Sequence, residues 1–167
     1  MNRELIMPLS LVFGLVAFGL AAQWYVMPWL QSVSRKRALT PLLLLHSFRY
    51  IGLAFLIPGV TAQALDAGFA NPAAYGDLLA AVLALGALIA VRLDWFVAMP
   101  LMWVFNIEGT LDLLNAFVQG VQRVRVGDLG ATYFIPTVAV PGLLVTHVMM
   151  FVVLVRQPPH WRIEPTS

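Results

Sequence analysis

The residues able to do chemistry stand inside long apolar runs. In the run around position 110, Glu108, Asp112, Asn115 and Gln119 follow one another at steps of 4, 3 and 4. On a helix, turning about 100° per residue, they share one face within about 60°, and Asn106 falls nearly opposite. A second run carries His46, Arg49 and Tyr50, whose offsets of 3 and 4 also place them on one helical face. A third carries His147 beside Thr146, with Pro136 and Pro141 upstream to free backbone carbonyls and bend the helix.

An ionised side chain in oil costs at least a few kcal/mol, so each needs a partner or a task. With a rise of about 1.5 Å per residue, His46 lies roughly 9 Å and Arg49 roughly 14 Å from the inner boundary. On the same scale His147 lies roughly 12 Å, Glu108 roughly 20 Å and Asp112 roughly 26 Å deep. These depths predict an ion pair between Arg49 and Glu108 or Asp112. Two acids against one base leave one acid over, as a proton- or ion-coupled process requires. The leading expectation is therefore a transport or ion/proton-conducting component. Glu108 and Asp112 bind the ion, proton or substrate, Arg49 is their counter-ion, Asn115 lies on the same stripe, and His46 or His147 is a gate or relay.

Other chemistries share these residues. Glu108 or Asp112 with His147 suits an intramembrane enzyme acting on a lipid or a quinone-like substrate. His46 and His147, at similar depth on different helices, suit axial ligation of a b-type haem in an electron-transfer subunit. The plain alternative is a structural subunit. There Arg49 and one acid clamp two helices, and Asn115 and Gln119 supply interhelical hydrogen bonds worth about 0.6 kcal/mol each. No cofactor is the first expectation, haem the second, and no metal site is expected. The chain has neither a GxSxG nor an HExxH motif. Ser47 next to His46 points about 100° away on a helix and forms no dyad. With no cysteine, thiolate metal sites, iron–sulfur clusters and dithiol redox chemistry are excluded. With Lys36, in a loop, the only lysine, so is an intramembrane Schiff base.

The elements that must position these groups are membrane helices. Of the 167 residues 60% are hydrophobic and 11% charged, and the mean hydropathy is +0.85. A soluble domain carries about 25% charged residues because its surface meets water. Five apolar stretches, about 5–30, 40–60, 75–93, 95–119 and 132–155, each hold roughly the 17–25 residues that cross a bilayer. Backbone groups in lipid must pair within their own segment, which selects helices. The fold expected is all-α: one domain over 1–167, a multi-pass bundle of five transmembrane helices in a plasma or inner membrane. Spans two, four and five line a polar centre, and span three packs.

Orientation follows the basic residues. Arg35, Lys36, Arg37, Arg92, Arg156 and Arg162 fall on one side, against Arg3, Arg123 and Arg125, which puts the N-terminus outside and the C-terminus inside. Span one is expected to stay rather than be cleaved as a signal, since its apolar stretch exceeds a usual signal core and Glu4 offsets Arg3. Trp24, Tyr25, Trp29, Tyr75, Trp95 and Tyr133 mark the interfaces. Residues 61–74 are expected as a polar loop and 157–167 as an extended tail. The partners expected are the lipid bilayer, with a homo-oligomer or a partner subunit to thicken so thin a bundle. The basic residues form no nucleic-acid footprint.

Overall fold

The computed structural model describes residues 5–156, whose elements are all helices joined by short turns, with no strand among them. Ile6–Ala21 (α1) runs through a π-helical turn, Ala22–Val26, into Met27–Ser32 (α2). Arg35–His46 (α3) tightens into a 3-10 helix over Ser47–Leu56. Ala67–Arg92 (α4) and Ala98–Arg123 (α5) are 26 residues each. Short turns then lead through a π-helical stretch, Ile135–Ala139, into Val140–Arg156 (α6). The expected tail, and Arg3 and Arg162 of the charge count, lie outside the described residues.

Among the described residues four helical stretches are long and apolar enough to cross a membrane: Ile6–Ser32, Arg35–Leu56, Ala67–Arg92 and Gly130–Val155. The α5 helix has the length, but Asn106, Glu108, Asp112 and Asn115 lower its hydropathy below theirs.

Packing is uneven around the bundle. The α4 helix lies against α5 and against the 3-10 half of α3, while α6 touches α3, α5 and α1. Alanines make the tight contacts, with Ala80, Ala84, Ala87 and Ala90 buried along one side of α4. By contrast, α1 buries none of its side chains. Its close approach is at Gly14, where an added Cβ would stand 2.9 Å from the Thr137 carbonyl oxygen. The Ala17–Ala21 pair, a packing notch by its spacing, is exposed instead.

Two apolar cores form. One, around Leu39, Leu43, Ala84, Met102, Phe105 and Met150, fills the end where α3 begins. A smaller one, around Phe55, Phe69, Ala73 and Leu129, fills the other end. The polar residues lie between them. At the first end Lys36 Nζ is 2.7 Å from Asp94 Oδ1, and Arg35 Nη2 donates to the Leu154 carbonyl at 3.3 Å. Arg35 thus meets the negative end of the α6 dipole. The Lys36–Asp94 pair is partly exposed, so Lys36→Ala is expected to lower stability by no more than about 1 kcal/mol, read as a small shift in the detergent-solubilised melt. At the opposite end Ala131 N donates to Val60 O at 2.9 Å and Ala62 N to Asp128 O at 3.0 Å, clasping the two loops.

Three features differ from sequence expectation. The α4 helix begins at Ala67, eight residues before the expected span, because Asn71 and Pro72 read as a loop yet fall within its first two turns. Much of the expected loop 61–74 is therefore helix. Next, the second half of the α3 stretch has three residues per turn rather than 3.6. His46, Arg49, Gly52 and Phe55 are accordingly all buried at a strict spacing of three. Tyr50, expected beside His46 and Arg49, turns outward and is 50% exposed. Finally, the bend expected near Pro136 takes the form of the π-helical stretch Ile135–Ala139.

Candidate functional site

The 3-10 helix sets Arg49 into the middle of the bundle, with its side chain fully buried. Its guanidinium distributes its donors over three acceptors on two other helices. Nε donates to Asp77 Oδ1 of α4 at 2.7 Å, Nη2 to Asp112 Oδ2 of α5 at 2.5 Å, and Nη1 to the Gly109 carbonyl of α5 at 3.1 Å. The same Nη1 is 3.5 Å from His147 Nε2 of α6. A planar fork with fixed donor directions suits this better than a point charge would. Both aspartates are nearly enclosed, with side chains about a tenth exposed. Asp77 lies about 15 Å along α4 from its start at Ala67, counted at about 1.5 Å per residue, so the centre is far from either bundle end.

Three glycines make room for these charges. A Cβ on Gly52 would run into the Asp77 carboxylate, and one on Gly76 into that of Asp112. On Gly109 it would stand 2.7 Å from Arg49 Nη1 and 2.8 Å from His147 Cε1. Each glycine is on a helix facing the charged group of a neighbouring one, so the helices close onto the ion pairs.

A neutral layer adjoins the charged one. His147 Nδ1 and Asn106 Oδ1 are 2.7 Å apart, and Asn106 Nδ2 donates to the His147 carbonyl at 3.3 Å. His46 Nε2 is 3.0 Å from Thr146 Oγ1. The two imidazoles are in contact, centroids 4.2 Å apart, with the Phe105 ring at 5.2 Å from His46 and 5.5 Å from His147. Rings in contact leave no gap for a porphyrin between them, and His147 has hydrogen-bond partners at both nitrogens. The pair therefore does not have the arrangement of two axial ligands.

The expected site residues divide as follows. Arg49, Asp112 and His147 meet at the centre. Glu108, one turn before Asp112, is not hydrogen-bonded to Arg49; its Oε2 is buried without a hydrogen-bond partner among the described residues. Glu108, Asp112 and Asn115 line an open groove on the outer face of α5, together with Trp103, Ile107 and Leu111. Asn115 is exposed there. His46 belongs to the neutral layer and not to the ion pairs. Asn106, expected to face away from the stripe, is fully buried against His147, since the opposite side of α5 also faces protein. Gln119, expected as interhelical glue, accepts from Arg123 Nε of its own helix at 2.7 Å.

The sequence reading missed Asp77. It starts span three at Tyr75, which leaves Asp77 as a boundary residue and α4 as a packing helix. In the structure α4 supplies one of the two ion-pair partners of Arg49. The available signal was Gly76–Asp77 followed by 14 residues without a charge, up to Arg92. An acid so close to an uncharged run needs a buried partner as much as Glu108 does.

The fold and the site define an all-helical protein with four helices apolar enough to cross a membrane and a buried arginine–carboxylate centre at mid-bundle. Residues 6–155 match the family described as a domain of unknown function (DUF8737), and the chain belongs to that family. No curated protein and no solved structure matches the chain.

Proposed function

We propose that the protein is a small multi-pass membrane component that moves protons or a monovalent cation through the Arg49 centre. In this reading α5 is also a span, the fourth of five in chain order, its polar side turned to the centre and to its own groove rather than to acyl chains. The end carrying Arg35, Lys36, Arg37 and Arg92 faces the cytoplasm of a plasma or inner membrane, and the N-terminus lies outside.

One observation carries the proposal. A single guanidinium is engaged by Asp77 and Asp112, with a third carboxylate, Glu108, one turn away on the same face as Asp112. Three carboxylates around one base are not electrically balanced, and unbalanced charge in a low-dielectric interior is expensive. The balance is met by protons or a bound cation, and a group that gains and loses such a charge is what coupled transport uses. Glu108 is the exchangeable member, because it opens onto the groove and holds no ion pair among the described residues. Arg49, with its two aspartates, sets the field in which Glu108 works.

Flux through purified protein in liposomes tests this. A pH-dependent proton or cation flux is expected in wild type, and Glu108→Gln is expected to reduce it to the level of protein-free liposomes while leaving the melt close to wild type. Undiminished flux in that variant would remove Glu108 from the mechanism.

A further inference from the structure

A second cavity, on the other side of Arg49 from the Glu108 groove, has a different character. It encloses about 200 Å³ between α1, the 3-10 helix and the start of α6. Its lining is apolar except at the floor, where Arg49 and Asp77 stand side by side. Phe48 and Ile51 at its edge are 54% and 44% exposed, so the cavity opens sideways, toward the apolar surroundings of the bundle. Phe18 of α1 forms another part of the edge, resting on Gly142, where a Cβ would meet the Phe18 ring at 3.2 Å. The opposite wall is the π-helical stretch Ile135–Ala139, whose wide turn displaces α6 from a regular path.

We infer that this lateral cavity binds the head group of an isoprenoid quinone or quinol, with the tail running out past Phe18 and Phe48. Size argues first: a dry cavity of about 150 Å³ holds a benzene ring, so this somewhat larger one accepts a single substituted ring. Charge argues second. The floor presents a guanidinium beside a carboxylate in an ion pair of 2.7 Å. Phosphate or an ionised fatty acid is repelled by Asp77, and an amine is repelled by Arg49. A neutral head group suits a floor whose guanidinium is already engaged and whose Asp77 carboxylate, about a tenth exposed, can accept a hydrogen bond from a hydroxyl. Access argues third: with Phe48 and Ile51 about half exposed at its edge, the cavity admits a lipid-soluble ligand from the side without displacement of α1. Only binding is inferred here, with no redox step.

The inference is independent of the transport proposal, because flux can be measured in liposomes free of quinone. The test uses the full chain in phosphatidylcholine nanodiscs with decylubiquinone, in oxidised and reduced form, as the probe. Saturable binding is expected, with a rise in melting temperature that grows with probe concentration. Ala139→Phe and Leu143→Phe, each filling the cavity from the α6 side, are expected to abolish it while the unliganded melt stays near wild type. Should one of these fail to fold, the other stands in its place. Leu111→Phe, in the opposite groove, is expected to bind as wild type does. The inference is overturned by non-saturable uptake in wild type, by binding that survives a well-folded filled variant, or by oleate competing as strongly as the quinone.

Discussion

Arg49→Met should sharply lower the yield of folded protein, and most of that yield should return when Asp77→Asn and Asp112→Asn are added. Breaking a buried ion pair by removing one partner costs about 3–5 kcal/mol, because the remaining charge has no water to turn to. Here two carboxylates lose their base at once, each held in a site about a tenth exposed. A loss of that size consumes much of a typical folding free energy of about 5–15 kcal/mol. Neutralising both acids removes the orphaned charges, and the amides retain hydrogen bonding in the same shape. Arg49→Lys separates charge from geometry. An ammonium restores one positive charge but cannot reach Asp77, Asp112 and the Gly109 carbonyl with fixed donors on three sides. It should fall between wild type and Arg49→Met. Fluorescence-detected size-exclusion chromatography and a thermal melt give both readouts. A monodisperse Arg49→Met at wild-type yield and melting temperature would show that the ion pairs do not hold the bundle together.

How much of this could be read from sequence depends on which physical signal each residue leaves. Apolar runs report long helices directly, so all five stretches reappear as helices, four of them apolar enough to cross a membrane, with ends displaced by up to eight residues. Arg49, Glu108 and Asp112 stand out because a charge inside such a run has no cheap explanation. Asp77 does not, because a short polar sequence with a proline precedes it and moves the apparent start of the span. The backbone departures were also hidden. Periodicity at 3.6 residues assigns His46, Arg49 and Tyr50 to one face, but the chain turns at three residues per turn after His46, and Tyr50 swings out. Which carboxylate meets Arg49 is set by how closely helices approach. That depends on glycines whose role shows only once Gly76 lies against Asp112 and Gly52 against Asp77.

Those glycines give a sharp prediction within a single helix. Gly76→Ala should destabilise the protein, and Gly86→Ala, ten residues further along α4, should leave it unchanged or slightly more stable. Helix propensity alone favours both, by about 0.8–1.0 kcal/mol, since alanine loses less backbone freedom than glycine. What separates them is what the new methyl meets. At Gly86 the nearest atom is Leu101 Cδ2 at 3.6 Å, an ordinary contact. At Gly76 the methyl falls on the Asp112 carboxylate, which cannot move aside without lengthening its bond to Arg49 Nη2. Overpacking a tight site costs about 1–3 kcal/mol, enough to cancel or exceed the propensity gain. Gly19→Ala, with nothing within 4 Å of the added carbon, is a second control on α1. Because the displaced group belongs to the proposed ion-binding centre, Gly76→Ala should also depress liposome flux per folded molecule, while Gly86→Ala should not. If both α4 substitutions raise the melting temperature alike, α4 and α5 are not closed onto the Arg49–Asp112 pair, and the glycines around it are not what shapes the centre.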